Sequence, residues 1–145
     1  MLDEFKVYII NLKQSTERRE SILREISKQN IKSFELIEAV DGNKLNNEEL
    51  NLCTFKNKKN YNPWGPKLTY SQIGCALSHI KIYKDFINSN YNYALILEDD
   101  AIFLDNFTIN LQKFILNNLK FKKQILLLSE LKEFLKTPID NMEKY

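Results

Sequence analysis

Three consecutive carboxylates, Glu98, Asp99 and Asp100, directly follow a short apolar run, YALIL, within residues 93–103. This run is typical of a strand that is buried on both faces of a parallel sheet. Its carboxyl end is the edge at which open α/β sheets present ligand-binding groups. If the backbone stays extended, Glu98 and Asp100 share one side of the strand. Because like charges repel, two carboxylates in one opening favour a hard cation such as Mg²⁺ or Mn²⁺ between them.

The same acidic cluster also has a purely structural interpretation. Short acidic clusters are weak motifs, and one at the end of a strand also fits a solvated turn or the start of a helix. The three residues by themselves therefore leave metal binding and a plain turn both open.

The composition is that of a folded, water-soluble chain. Hydrophobic residues make up 43% and charged residues 28% of the 145 residues, which is close to globular proteins. The net charge is only +2, and this does not favour a nucleic-acid-binding protein. No stretch reaches roughly 18 consecutive apolar residues, and the N-terminal MLDEFK lacks a signal-peptide pattern. We therefore expect a single cytoplasmic domain over residues 1–145.

The two cysteines, Cys53 and Cys75, do not have the spacing of a paired metal-ligand motif. A disulfide between them would require the fold to bring their backbones within bonding range. We interpret both as buried or chemically idle thiols.

Strand and helix patterns alternate along the chain, which predicts an α/β fold. Residues 6–12 (KVYIINL) and 34–40 (FELIEAV) have strand composition, and residues 93–97 are predicted to be a central strand. A right-handed βαβ crossover places Asn11 and Asp41 at the same edge of the sheet. Helices are predicted after caps at residue 15, at 46 or 47, and at 105 or 106, and a long helix runs from Ser71 to about Asn88, in which Ile73, Leu77, Ile80 and Ile87 follow helical spacing. A further strand is predicted at 124–128 and a positive φ at Gly42.

Several side chains on these elements could contact a ligand. Arg18 and Arg19 lie at the start of the first helix, where backbone N–H groups and a cation together suit a phosphate. His79, the only histidine, lies on the third helix and suits a base or a phosphate contact. Solvated arginines and a histidine that only packs in the helix are the structural alternatives.

The segment 54–67 is rich in Asn, Lys, Pro and Gly, which predicts a loop. It contains Tyr61 and Trp64, whose aromatic faces suit the C–H faces of sugars. Local packing of the two rings explains them equally well, so both interpretations stay open.

Four segments, in this order along the chain, resemble glycosyltransferase family 25, the lipooligosaccharide galactosyltransferase-like enzymes. The segments are VYIINLKQSTERRESI, FELIEAVDG, LTYSQIGCALSHIKIYKDFI and YALILEDDAIF, and the resemblance runs from residue 6 to 128. It implies a GT-A type, Rossmann-like nucleotide-sugar-binding fold with a mostly parallel central sheet flanked by helices. It also implies a UDP-sugar donor, usually UDP-galactose, a Mn²⁺ or Mg²⁺ cofactor, and transfer to a saccharide or lipooligosaccharide acceptor with inversion.

The resemblance assigns roles to individual residues. It makes Asp100 the direct metal ligand of a DXD-type motif, with Glu98 also at the metal through ribose or water. Together with Asp41 from the strand order, the donor-binding set is Asn11, Arg18, Arg19, Asp41, Ser78, His79, Glu98 and Asp99.

The catalytic base is not identified by the resemblance. Members of the family are expected to continue beyond Tyr145, so that the C-terminal part, with the acceptor contacts and the base, would be missing here. Within the chain, only His79 and Asp105 remain as candidate bases.

Two classes of function therefore stay open. The chain is either a glycosyltransferase of lipooligosaccharide or lipopolysaccharide biosynthesis, or a truncated, non-catalytic module that binds a nucleotide sugar or associates with itself. Peripheral attachment to the cytoplasmic face of the inner membrane fits the first. A phosphate-transferring enzyme is less favoured, because the three glycines are isolated and form no phosphate-binding loop.

Overall fold

The computed structural model describes residues 5–53 and 68–118, with side chains described for residues 5–50 and 68–116. Predictions for residues 54–67, including Tyr61 and Trp64, and for the strand at 124–128 lie outside the described residues. Strands and helices alternate as predicted. In chain order they are β1 (Phe5–Asn11), α1 (Thr16–Lys28), β2 (Glu35–Glu38), a 3₁₀ turn (Gly42–Lys44), α2 (Asn47–Cys53), α3 (Tyr70–Ile87), β3 (Tyr93–Glu98) and α4 (Phe107–Asn118).

The three described strands form an all-parallel sheet in the order β2-β1-β3. Residues 7–11 of β1 are all buried, whereas the burial of β3 alternates between buried and partly buried positions. Among the three described strands β1 is therefore the middle one, and a central position of residues 93–97, with a neighbouring strand on each side, stays a prediction. Asn11 pairs with Glu38 and Ile10 with Glu98, so the carboxyl ends of all three strands meet at one edge.

Alternate residues of β1 supply two hydrophobic cores, one on each face of the sheet. Val7 and Ile9 pack with α1, β3 and α4, whereas Tyr8 and Ile10 pack with β2 and α3. The sheet thus lies between helices, as in a Rossmann-like glycosyltransferase fold. Among the described residues, none of the helices combines the length and apolar character that a membrane span needs.

The buried face of α3 differs from the predicted one. Of the apolar positions that follow helical spacing, Ile73 is buried, but Ile80 and Ile87 are exposed. The buried positions include Gly74, Ser78 and Ile82 instead. Small residues at two of these three positions bring the helix close to the backbone around residue 40, and this contact decides which face turns inward.

Gly42 and Gly74 lie where two backbone segments meet. A Cβ atom on Gly42 would lie 1.7 Å from the carbonyl oxygen of Tyr70, and one on Gly74 would lie 2.4 Å from that of Val40. Among the described residues no glycine has a positive φ, so the left-handed turn predicted at Gly42 is wrong. Glycine is required here because α3 approaches too closely for a side chain.

We expect Gly42→Ala to lower the free energy of unfolding by about 2–3 kcal/mol, because the first turn of α3 must move to admit a methyl group. Urea denaturation measures the change. Ser71→Ala is the matched control, since Ser71 is an exposed residue in the same turn of α3. An unchanged unfolding midpoint in Gly42→Ala would show that the two segments do not depend on this contact.

Candidate functional site

Asn11, the last residue of β1, is buried and uses both ends of its side-chain amide. Its Nδ2 donates to Oδ2 of Asp99 at 2.7 Å and to the carbonyl oxygen of Ser15 at 3.0 Å. Its Oδ1 accepts a hydrogen bond from Nε of Arg19 at 2.7 Å. This orientation of the amide is required, because a carboxylate only accepts and a guanidinium only donates. Asn11 thus fixes the start of α1 and the turn after β3 to the end of β1.

Arg18 neutralises two carboxylates at the same edge of the sheet. Its Nη2 lies 3.0 Å from Oδ1 of Asp99 and also pairs with Oδ2 of Asp100. The side chain of Asp99 is 10% exposed, whereas that of Asp100 is 64% exposed. One carboxylate is therefore held rigidly by Asn11 and Arg18, and the other faces solvent. The pair already accommodates one cationic group between oxygen atoms.

The acidic cluster does not follow the predicted alternation. Extended backbone ends at Glu98, and Asp99 and Asp100 lie in a turn. Alternation of side chains holds only while the backbone stays extended. Asp100 therefore shares Arg18 with Asp99, whereas Glu98 makes its contacts with α3.

Glu98 meets two side chains of α3. Its Oε1 lies 3.7 Å from Sγ of Cys75 and 3.5 Å from Nε2 of His79. Partial desolvation of Cys75 and the charge of Glu98 raise the pKa of this thiol. Cys75 is free and exposed, so of the two predicted alternatives, a buried or a chemically idle thiol, the first is wrong at this position. The side chain of Cys53 lies outside the described residues.

The sequence contains a signal for this cluster that the spacing of paired cysteines does not reveal. Cys75 and His79 are four residues apart on α3, and side chains at that spacing lie on one helix face. A mixed pair of Cys and His does not match the paired-cysteine pattern. Its third member, Glu98, is recognisable only once β3 is placed beside the helix.

A hollow of about 420 Å³ opens at the carboxyl ends of β1 and β2, and Asp41 is part of its lining. Asp41 accepts hydrogen bonds from the backbone N–H of Asn43 at 3.1 Å and from Nε2 of Gln14 at 3.2 Å. These hydrogen bonds lower the pKa of the Asp41 carboxyl below its usual range, and the one from the backbone N–H of Asn43 has the largest effect. Asn11 and Asp41 thus lie at one edge of the sheet, as the strand order predicts. The other lining residues include Lys13, Lys44 and Glu49.

Ser78 lies behind the site rather than on its surface. It is fully buried, and its Oγ accepts from the backbone N–H of Val40 at 2.8 Å and donates to the carbonyl oxygen of Gly74 at 2.7 Å. Both hydrogen bonds hold the segment after β2 against α3. Ser78 therefore cannot contact a donor molecule directly in this arrangement.

Asp105 lies at the other end of α1 from the arginines. It lines a second hollow together with Lys28 and Asn30. Arg18 and Lys28 are ten positions apart on the helix, which corresponds to about 15 Å along the helix axis. The structure does not bring Asp105 together with Asp99 and Asp100, and its role as a base stays a prediction.

The fold and this edge of carboxylates and arginines define a Rossmann-like α/β protein with an anionic, cation-accepting site. Comparison with known families identifies which one: the family model described as "Glycosyltransferase family 25 (LPS biosynthesis protein)" matches residues 4–143. The chain belongs to glycosyltransferase family 25.

The chain is also similar to curated relatives, and it spans less than a fifth of each of the three that follow. It is 34% identical over 110 residues to "Procollagen galactosyltransferase 2" of Mus musculus, covering 74% of this chain and 17% of that protein. It is 39% identical over 115 residues to "Procollagen lysyl hydroxylase and glycosyltransferase" of Acanthamoeba polyphaga mimivirus, covering 70% and 12%. It is 31% identical over 110 residues to "Inactive glycosyltransferase 25 family member 3" of Mus musculus, covering 74% and 18%. Membership of the family therefore does not by itself decide activity.

Proposed function

We propose that this chain binds a UDP-sugar, UDP-galactose in particular, together with Mn²⁺ or Mg²⁺, and serves transfer of the hexose to a saccharide acceptor. The observation that carries the proposal is the cation-accepting pair of Asp99 and Asp100 around Arg18 at the carboxyl edge of the sheet. Galactose is supported by the names of the relatives, and a lipopolysaccharide-type acceptor by the description of the family.

The residues present fit a hard divalent cation. Asp99 and Asp100 offer carboxylate oxygens, and one or two carboxylates plus substrate phosphates is the usual arrangement for Mg²⁺. Asp100 is the exposed member and would hold the metal directly, while Asp99 is fixed by Asn11. When bound, the metal would act as a Lewis acid and stabilise the charge on the departing diphosphate. The contacts of Glu98 with α3 favour a separate role for that residue.

The two arginines of α1 have different tasks in this proposal. Arg19 is committed to Oδ1 of Asn11 and to the carbonyl oxygen of Lys13, so it holds the site together. Arg18 is 50% exposed, and within the described part of the chain its contacts with the carboxylates are made through Nη2. Without metal, Arg18 neutralises the acidic pair. With metal bound there, its guanidinium is available to the diphosphate, for which its planar fork of donors is suited.

The hollow beside β1 and β2 supports binding of the nucleoside. Its volume of about 420 Å³ lies within the range of small-molecule sites, and it shares the carboxyl edge with the acidic pair. Open α/β sheets bind ligands at this edge. Lys13 and Lys44 on its rim add positive charge for the phosphates.

Calorimetric titration with UDP, in Mn²⁺ and in EDTA, tests the proposal. We expect saturable heat only in Mn²⁺, because the diphosphate and the acidic pair would otherwise repel each other. Uridine is the matched control, since it fills the nucleoside position but brings no phosphate to the metal. Equal heats for UDP with and without metal at high protein concentration would refute the proposed site.

A second candidate function is a non-catalytic module that binds the nucleotide sugar, and the relative named inactive favours it. Incubation with UDP-galactose, Mn²⁺ and lipooligosaccharide acceptors separates the two. A glycoside product formed over many turnovers identifies a transferase, whereas metal-dependent UDP binding without product identifies the module.

A further inference from the structure

Cys75, His79 and Glu98 bring three different donor atoms together from two elements. The first two lie four residues apart on α3, and the third is the last residue of β3. One thiol sulfur, one imidazole nitrogen and one carboxylate oxygen all lie within 4.8 Å of one another. The contacts of Arg18 with Asp99 and Asp100 involve none of these three residues.

The separations of Glu98 Oε1 from Cys75 Sγ and from His79 Nε2 are close to those between ligands of a tetrahedral zinc ion. Zinc bonds of about 2.3 Å to sulfur and about 2.0–2.1 Å to nitrogen and oxygen imply separations of about 3.6 Å for S···O and about 3.4 Å for N···O. The observed separations are 3.7 Å for Cys75 to Glu98 and 3.5 Å for His79 to Glu98. At 3.5 Å the imidazole is too far from the carboxylate for a good hydrogen bond.

We propose that Cys75 Sγ, His79 Nε2 and Glu98 Oε1 bind a divalent cation of the zinc class, with a fourth position open to water or an anionic oxygen. Thiolate and imidazole donors select zinc over Mg²⁺ and Mn²⁺, which prefer oxygen donors. Three protein ligands and one open position is the arrangement of zinc sites that keep access to solvent.

The cluster is accessible to a metal ion in solution. Cys75 is exposed, and the side chains of His79 and Glu98 are 28% and 55% exposed. The cation binds the thiolate form of cysteine, so binding at Cys75 is expected to release the thiol proton to the buffer. The bound ion joins α3 to the end of β3, and the folded state gains stability accordingly.

Titration of the reduced protein with Co²⁺, followed by absorption, tests the site. A thiolate bound to Co²⁺ gives a charge-transfer band in the near ultraviolet, and added Zn²⁺ is expected to displace the cobalt and remove the band. We expect Cys75→Ser to abolish the band. His79→Gln and Glu98→Gln are each expected to weaken cobalt affinity by at least about 10-fold. Loss of an outer-shell partner of a metal site already weakens affinity by about 10- to 100-fold, and these two residues are proposed direct ligands.

Cys53→Ser is the matched control, because it removes the only other thiol of the chain. We expect it to retain the band. The absence of a band in the unmodified protein, or its loss in Cys53→Ser, would overturn the assignment. In that case the cluster is an S–H···O contact beside a weak His79–Glu98 ion pair.

The zinc-class site and the UDP site can be tested independently of each other. Asp100→Ala is expected to keep the cobalt band, whereas Cys75→Ser is expected to keep the Mn²⁺-dependent heat of UDP binding. Loss of the cobalt band in Asp100→Ala would show that one cation site, not two, occupies this edge, and it would overturn the inference without touching the proposed donor binding.

Discussion

Asp100→Ala is expected to weaken UDP binding in Mn²⁺ by roughly 10- to 100-fold, equivalent to about 1.4–2.8 kcal/mol. Asp100 is the solvent-facing member of the acidic pair and the proposed direct ligand of the metal. Of the two carboxylates that pair with Arg18 among the described residues, the variant keeps Asp99 alone, so the metal has one charged oxygen donor fewer. Calorimetry in Mn²⁺ gives the affinity of the variant and of the unmodified chain.

The fold should be almost unaffected by this substitution. The Asp100 side chain is 64% exposed, so its removal is expected to change the free energy of unfolding by no more than about 0.5 kcal/mol. Glu20→Ala is the control, because Glu20 is an exposed carboxylate of α1. An unchanged UDP affinity in Asp100→Ala would disprove the metal role. A large drop in melting temperature without metal would instead show that Asp100 is a structural residue of the turn.

The edge at which the site forms could be predicted from the sequence. The run at residues 7–11 and the apolar positions of β3 are long enough to identify strands, and the rule for parallel crossovers then brings Asn11 and Asp41 to one edge. Strand patterns depend on residues close together in sequence, so they can be recognised without knowledge of the tertiary structure. The directions of the side chains at the end of β3 cannot be predicted in this way, because they depend on a turn.

The partners of the acidic residues depend on tertiary contacts that no local pattern contains. Asp99 is oriented by Asn11, which is 88 positions away in sequence. Glu98 meets α3 only because Gly74 and Ser78 let that helix approach the segment after β2. Apolar spacing along α3 favours a different face, since exposed Ile80 and Ile87 count as core residues in such a pattern. Backbone proximity, rather than the number of apolar side chains, sets the orientation of the helix.

Arg18 links the structural and the functional interpretations of the site. In the structure its guanidinium acts as the counter-ion of Asp99 and Asp100. A divalent cation at the pair competes with this guanidinium, because both are attracted by the same oxygen atoms. In the proposed function the diphosphate has the opposite relation to Arg18, since it would bind the guanidinium that the metal displaces. The arginine should therefore oppose the metal alone and assist the metal together with the nucleotide.

Arg18→Gln is accordingly expected to change two affinities in opposite directions. Binding of Mn²⁺ without nucleotide should strengthen by roughly 3- to 10-fold, because an exposed competing charge contributes on the order of 1 kcal/mol. Binding of UDP at saturating Mn²⁺ should weaken by roughly 10- to 100-fold, because a charge-assisted contact with the diphosphate is lost. Electron paramagnetic resonance of free Mn²⁺ measures the first, and calorimetry with UDP measures the second.

Arg24→Gln is the matched control for both measurements, because Arg24 is an exposed arginine farther along the same helix. It changes the net charge of α1 by the same amount but leaves the counter-ion of the acidic pair in place. Because a distant surface charge is screened by salt, both affinities should stay nearly unchanged. If Arg18→Gln weakens Mn²⁺ binding and UDP binding together, the arginine supports the acidic pair structurally and does not compete with the metal. If it leaves both unchanged while Asp100→Ala acts as expected, the diphosphate does not reach α1, and Lys13 or Lys44 on the rim of the hollow becomes the phosphate contact to test.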